Sequence, residues 1–558
     1  MSSPISLPLG LAIVCVLLLA KSIWTRSTRL PLPPGPKPLP LIGNLHQVPK
    51  SLQWFHFYHW SREHGPIMHL SMAGQSLILL STNQTAQDLL SRRSAHYSDR
   101  PRMVMSGELV TKGMHMLLRP YDAQYKLHQR MQAPLLNMKA SNCYRPIQEM
   151  ESRQLLWDII EDTKTHGDKG PSLGHSPRTT TIKATGLPSL TSPTDTQLYS
   201  GYRLRTGHEQ SMLDAKRVQA EFARTGQVGA YLVDSFPILN RLPAFLAPWK
   251  KEGEELYQLE RNMHVGNLER GLANPGWNFS KHMRDSAEAR GMSTEELAFD
   301  LGIVADAALD TSTVAMDWLV VACITAGKAD DGFVAKAQAD LDRVVGRGRL
   351  PTFEDRARLP YIDAIVNEVL RWRPVVVGGV PHATKKEDTY MGYRIPAGSL
   401  VMANHYAITR DESIFGPNAD AFEPERWLQY PTDNKGTVAH QQCTLKDLPQ
   451  TGFGFGRRIC TGRNIARNGL FIQMARLLWA FEVDAGIVNE ATGARHPVGD
   501  MDCTEGFVTM PKPFRASFTP RGDWVREIVA ATCDTHGEDF VEILDQAGRE
   551  RRVTIGKE

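Results

Sequence analysis

The amino-acid sequence predicts a mainly α fold with a small β-subdomain, and three stretches carry the prediction. From Ser293 to about Ala326 the chain is apolar nearly all round, the pattern of a helix buried on every side. Ser293, with Glu296 three places on, signals the start of that helix as a capping pair. A second apolar helical run, Ile465, Leu470, Phe471, Met474, Leu477 and Leu478, follows Gly462. Against these, only residues 75–83 and 390–407 read as strands, the latter as strand, turn, strand.

Composition narrows the function classes. A length of 558 residues leaves either one large domain or several ordinary ones open. Lys plus Arg at 64 against Asp plus Glu at 61 gives no basic excess, so nucleic acid is not an expected partner. The seven cysteines form no C-x-x-C pair, which excludes a zinc knuckle and a disulfide framework and fits a reducing, cytosol-facing domain.

Taken in order, residues 2–20 carry no charge, and Lys21, Arg26 and Arg29 follow at once. The apolar run is slightly short of the ~20 residues that span a bilayer, and Ile23 and Trp24 extend it. No basic residue precedes it and no small-x-small cleavage site follows, so residues 1–25 read as a single-pass anchor and not as a cleaved signal peptide. The charges after the run keep the rest of the chain on the cytoplasmic side. Residues 26–45 are a proline-rich hinge, Leu-Pro-Leu-Pro-Pro-Gly-Pro-Lys-Pro from Leu30, which excludes helix and favours a stiff extended segment. Residues 46–520 read as the globular body of the chain, and 521–558 as a charged, peripheral tail.

Within the domain, helices are predicted over 84–93, 125–136, 256–272, 335–345 and 361–372, the last ended by Pro374. Residues 101–120 carry Met103, Met105, Met114 and Met116, adaptable apolar side chains that suit a pocket wall or a plain surface loop equally. Residues 164–200 are rich in Ser, Thr, Pro and Gly without apolar period and read as loop or disorder, from a divergent insertion or an incorrectly spliced transcript. In 228–246 apolar residues alternate with Pro237 and Pro243. Residues 375–380 leave the preceding helix as an apolar extended strip.

The chemistry concentrates at three places. Residues 453–462, Phe-Gly-Phe-Gly-Arg-Arg-Ile-Cys-Thr-Gly, frame Cys460 with close-set glycines and an arginine, which suggests a thiolate presented from a tight loop to a metal. Gly454 and Gly456 allow amides to turn towards the sulfur, and Arg458 suits a carboxylate on the bound group. In the middle of the long helix, Asp310 and Thr311 are costly to bury unless paired or functional, and small Ala307 and Ala308 leave room for something flat. A hydroxyl beside a carboxylate makes a proton relay, although threonine also commonly bonds its own helix backbone. Glu368 and Arg371 lie three apart on one helix face and can pair.

On these residues the chain resembles the cytochrome P450 family. The motifs are A-[AG]-x-[DE]-T-[TS] at 307–312, E-x-x-R at 368–371, Phe-Glu-Pro-Glu-Arg-Trp at 422–427 and F-G-x-G-x-R-x-C-x-G at 453–462. The resemblance spans about Pro31 to Arg521 and implies the P450 fold with haem b, its iron held by the axial thiolate of Cys460. It implies that Phe453, Gly454, Arg458 and His382 contact the haem and that Asp310 and Thr311 relay protons for dioxygen cleavage. Glu368, Arg371 and Arg426 would brace the cysteine loop, and 101–120 would border the pocket. One motif departs: where the family has Trp-Arg-x-x-Arg reaching the haem propionates, this chain has Tyr125 and Gln129, with Arg130 one place later. Lys126, Arg130 and Lys139 offer a basic face for an acidic reductase, or simply a solvated helix face.

The implied substrate pocket, Phe299, Ile303, Val304, Ala307, Val376, Val377 and Phe507, is apolar and favours a lipophilic small molecule. No nucleotide-binding glycine fingerprint appears, so electrons come from a separate NADPH-cytochrome P450 reductase. The resemblance is strongest to fungal microsomal members that tailor secondary metabolites, placing the enzyme at the endoplasmic reticulum membrane. Two rival readings are a haem-thiolate isomerase or dehydratase that needs no external electrons, and a catalytically impaired haem-binding protein.

Overall fold

The computed structural model describes residues 29–166, 198–202, 209–227, 229–430, 443–489, 492–532 and 540–555. The anchor expected over 1–25, and residues 167–197 of the atypical segment, lie outside these. The described ends of that segment are helical: the Arg145–His166 helix runs into it, and Leu198 and Tyr199 at its far end are fully buried.

The helix Thr294–Ala326 is the axis of the molecule. Ser293 caps it, its hydroxyl accepting from the Glu296 amide at 3.0 Å. The return half of the expected capping box does not form. Glu296 instead accepts from Gln124 at 2.7 Å and Arg119 at 3.2 Å, and meets His128 Nε2 at 3.0 Å. His128 bridges onward to Asp300 Oδ1 at 3.0 Å, and Gln132 donates to the same oxygen at 2.8 Å. Burial works against a charge on His128, but its bonds to Asp300 and Glu296 outweigh that and raise its proton affinity. The Ala123–Leu136 helix is thereby pinned to the central one by groups too costly to bury alone. Among the described residues the central helix is the one long and apolar enough to cross a membrane, but the body of the protein buries most of it.

Its C-terminal half packs against the Pro360–Trp372 and Arg463–Ala480 helices in the main core, where Trp318, Trp372 and Trp479 are buried. Its N-terminal half joins a second core with Met131, Leu135, Ile147 and Leu268. The predicted helices over 256–272 and 335–345 appear as Pro248–Ala273 and Phe333–Val344. The methionine segment is no plain surface loop: Val104–Val110 coils into a π-helical turn, and Met105 and Met116 are buried.

The β-subdomain is a four-stranded sheet in the order Ile67–Met72, Gln75–Leu80, Leu400–Ala403, His382–Ala383. The first two strands form a hairpin across Ala73 and Gly74, both at positive φ, as a two-residue turn requires. The stretch 390–407 is not one hairpin. Asp388–Tyr390 pairs with Tyr393–Ile395 across Met391 and Gly392, both at positive φ, while Leu400–Ala403 leaves to lie parallel to Gln75–Leu80. Nor is 375–380 an extended strip: Gly379, at φ 72°, donates its amide to the Val376 carbonyl and closes a turn. In 228–246 short helical turns leave Leu232, Phe236, Ile238, Phe245 and Leu246 exposed.

The charged tail is not peripheral. Asp523–Thr532 buries Val525 and Val529 in the main core, with Trp524 edge-on to Trp479 at 4.6 Å. Phe540–Ile555 buries Phe540, Leu544 and Ala547 in the second core. These three share one helical face with Arg551, which reaches His282 at 2.9 Å, and the abundant charges occupy other faces. Leu544→Ala should therefore lower the unfolding free energy by about 2–5 kcal/mol, read from the denaturant midpoint. A loose tail would leave that midpoint unmoved.

Candidate active site

Two short 3-10 turns, Thr451–Phe453 and Gly456–Arg458, shape the cysteine loop, which is closed by the Cys460 amide donating to the Phe453 carbonyl at 2.8 Å. Glycine is required at 456 for two reasons. Its φ is +57°, and a Cβ there would lie 2.0 Å from the Leu90 carbonyl oxygen. Gly454 is likewise left-handed, at φ +83°. Phe455 packs on His405, and the Arg463–Ala480 helix begins just past the loop. Cys460 is exposed, and so is Ala307 on the central helix, although most of the residues around Ala307 on that helix are buried or half-buried. Cys460 and Ala307 thus present exposed surface against which a flat group can lie.

One side of the loop meets a concentration of positive charge. Arg458 donates to the carbonyls of Ser98, Met116 and Arg119, and its guanidinium lies 3.8 Å above the Tyr125 ring. Arg100 donates to the carbonyls of Leu117, Val380 and Pro381. Among the described residues neither guanidinium forms an ion pair with a carboxylate. Burial and the nearby Arg458 push Arg100 down to about 9, and burial lowers Arg458 as well. His382 is buried beside them, donating from Nδ1 to the Tyr97 carbonyl at 2.6 Å, and burial together with Arg100 holds it well below the usual imidazole range. A buried and a half-buried guanidinium whose hydrogen bonds go mainly to carbonyl groups suit the carboxylates of a bound haem.

Sequence reasoning missed Arg100. Its signal was present in Ser-Asp-Arg-Pro at 98–101, but the partner strand that draws it inward is distant in the chain, the Ala383 amide bonding the Asp99 carbonyl at 2.9 Å. Arg130 is not part of this cluster. Its side chain is 61% exposed and turned to Glu288 at 3.9 Å. Lys126 and Lys139 are exposed too.

On the central helix, Thr311 Oγ1 donates to the Ala307 carbonyl at 2.9 Å, the backbone-bonding arrangement that competes with a relay role. Asp310 is half-buried; burial raises its carboxyl and Lys216, from the Gln210–Thr225 helix, opposes the rise. Of the residues assigned to the pocket, Ala307, Val376 and Phe507 stay accessible, and Phe507 meets Phe222 edge-on at 6.4 Å. Phe299 is fully buried against Tyr257 and His264, Val377 lies in the main core, Ile303 is buried and Val304 packs on the second core. Polar residues unforeseen in the sequence stand near them: His115, stacked on Phe222, with Lys216, Glu260, His264 and Asp306.

Glu368 has no exposed surface and accepts five hydrogen bonds. Arg371 provides two, at 2.7 and 2.8 Å, Arg426 Nε one at 2.9 Å, and the Trp427 indole and the Glu423 amide one each at 2.8 Å. Arg371 also donates to the carbonyls of Thr409, Ala419 and Ala421. The same helix carries Leu370, whose carbonyl lies against Gly452 at the start of the cysteine loop. Glu368→Ala strands two buried guanidiniums and should cost about 3–5 kcal/mol. The expected outcome is a lowered melting temperature with loss of bound haem, while Glu368→Gln should retain part of both.

A family model described as Cytochrome P450 matches residues 33–518. The chain is 38% identical over 514 residues to Cytochrome P450 monooxygenase aneD of Aspergillus aculeatus, covering 92% of this chain and 93% of that protein. It is 34% identical to Cytochrome P450 monooxygenase drtD of Aspergillus calidoustus, covering 94% and 90%, and 34% identical to Cytochrome P450 monooxygenase FrzL of a Cladobotryum species, covering 93% of each. With the cysteine loop, the two arginines and the acid–threonine helix in place, the chain belongs to the cytochrome P450 family, as a monooxygenase that binds haem b iron through a cysteine thiolate.

Proposed function

We propose that this monooxygenase performs a tailoring oxidation of a lipophilic small molecule in fungal secondary metabolism, with Cys460 as the haem ligand and Asp310 and Thr311 delivering protons. The observation that carries the assignment of residues is the pair of guanidiniums, buried Arg100 and half-buried Arg458, set beside the Cys460 loop without an ion-paired carboxylate among the described residues. The fungal setting is supported by relatives from Aspergillus and Cladobotryum that match over nearly their whole length. Retention of an acid–threonine pair weighs against the isomerase and dehydratase reading.

Bound haem supplies the oxidising chemistry at its iron. Cys460 would hold the iron, while Arg100, Arg458 and His382 would hold its carboxylates. Asp310, its carboxyl raised by burial, keeps a proton more readily than an exposed aspartate. Thr311 passes that proton on once its hydroxyl leaves the Ala307 carbonyl. Exposed Lys126, Arg130 and Lys139 form the face for an acidic, NADPH-dependent reductase. Exposed Leu232, Phe236, Ile238, Phe245 and Leu246 favour contact with the endoplasmic reticulum membrane, alongside the N-terminal anchor.

The first test is the ferrous–carbon monoxide spectrum. Wild type should show the red-shifted Soret band of thiolate ligation, and Cys460→Ala should lose it. Thr311→Ala should keep the band but lose product on the order of 10²-fold while releasing peroxide. An unchanged product rate would favour a rearranging enzyme. Reversing Lys126, Arg130 and Lys139 to Glu should slow reductase-supported reduction about tenfold at low salt and leave reduction by dithionite unchanged.

A further inference from the structure

The central helix carries another acid that the acid–threonine pair does not account for. Asp306 lies one turn before Asp310, close to the same helix face. His264, from the Pro248–Ala273 helix, faces it with Nε2 3.5 Å from Asp306 Oδ2 and 3.4 Å from Glu260 Oε1, one turn earlier on its own helix. The His264 side chain is entirely buried and Glu260 is 4% exposed. Room for the ring comes from Gly302, where a Cβ would fall 1.9 Å from His264 Nδ1. Phe299 meets the ring edge-on at 5.0 Å, and the Tyr199 hydroxyl donates to the His264 carbonyl.

Stability does not explain this arrangement. A buried ion pair is seldom better for folding than apolar residues of the same volume. Here neither imidazole nitrogen has a well-aligned hydrogen bond among the described residues. The ring sits beside two carboxylates without being locked to either, so it can close the gap to one or the other, and a proton passes when that separation shortens to hydrogen-bond length.

The charged neighbours come from every packed element. His115 acts on Glu260 and His264 from the segment after Val104–Val110, and Tyr199 lies near Asp306. Asp310 acts on Asp306 along the central helix, and Lys216 acts on Asp310 from Gln210–Thr225. Burial pushes Asp306 up to about 7 against the opposing pull of His264. For His264 burial disfavours the charge, but Asp306 and Glu260 prevail and raise its proton affinity above the ordinary imidazole range. Together they hold a shared proton near neutrality.

We propose that His264, clasped between Glu260 and Asp306, is a positioning residue for proton delivery, holding a proton one helical turn from Asp310 so that the acid–threonine pair is recharged from within the protein. The inference rests on the role given to Asp310 and Thr311 above. The proton leaves His264 Nε2 for the Asp306 carboxylate, and Asp306 passes one to Asp310 as Asp310 gives up its own. Only bonds to hydrogen form and break, and no electrons move. The sign follows from both raised affinities: the store is full on the acid side of about pH 7 and empties as pH rises.

The experiment uses the holoenzyme with an NADPH-dependent reductase and no added substrate. Dioxygen is then reduced to peroxide with two electrons and two protons, or to water with four of each. Peroxide released per dioxygen consumed should rise with pH in wild type. In His264→Gln and Asp306→Asn it should be high and flat, about tenfold above wild type on the acid side. A second readout needs no turnover. In the diamagnetic ferrous–carbon monoxide form, the labelled His264 resonance should titrate above the ordinary ~6.5, and below it in Asp306→Asn. If His264→Gln does not fold, Glu260→Gln removes one clasp and should lower the His264 midpoint while partly flattening the peroxide profile. A wild-type pH profile in a variant with a normal Soret band, or a His264 midpoint at or below the ordinary value, overturns this inference alone. Absence of the thiolate band in wild type would instead overturn the haem-thiolate assignment.

Discussion

The structure depends on one buried carboxylate. Glu368 gathers Arg371, Arg426, the Trp427 indole and the Glu423 amide around a group with no exposed surface. Such a charge is tolerable only when every lone pair is engaged, so the network assembles as a whole. It joins the Pro360–Trp372 helix to residues 409–427, where three backbone carbonyls are held by the single fork of Arg371. The cysteine loop leans on the same helix through Gly452 and Leu370. A loop that presents one thiol in one direction needs a rigid seat, and this network supplies it without touching the chemistry.

Opposite electrostatic solutions meet across the active site. Around Glu368 the charges neutralise one another. At Arg100 and Arg458 a buried and a half-buried guanidinium donate mainly to carbonyl groups and form no ion pair among the described residues, an excess of positive charge that suits an anionic cofactor. On the central helix a series of acids, Glu296, Asp300, Asp306 and Asp310, is met by His128, His264 and Lys216 from three different neighbouring helices. The helix that looks most apolar in composition is therefore the one with the most elaborate buried ionisation. Its apolar residues face the cores, and its acids face the helices that cross it.

Several elements were legible because their determinants are local. The Ser293 cap and the run after Gly462 follow from neighbouring residues, and the structure has a helix at each. Local reading failed where packing decides. The tail looked solvated because its charges outnumber its apolar residues, yet Phe540, Leu544 and Ala547 align on one helical face and find a core. Phe299 looked like pocket lining, but the neighbouring helix covers it with Tyr257 and His264. Arg130 looked like a substitute for the missing arginine, but helical geometry turns it outwards, and Arg100 from another segment stands beside Arg458.

By itself the sequence marked the glycine-framed cysteine loop and the adjacent acid and threonine as the candidates for the chemistry, because residue type and backbone freedom act within a few positions. Gly456 must be glycine for its own torsion, and Asp310 and Thr311 are adjacent in the chain. Only the tertiary structure decided the charge environment. His264, Asp306, Arg100 and His382 acquire their properties from burial and from partners far away in sequence. Desolvation and Coulomb interaction depend on distance through space, and no local pattern of residues encodes that distance.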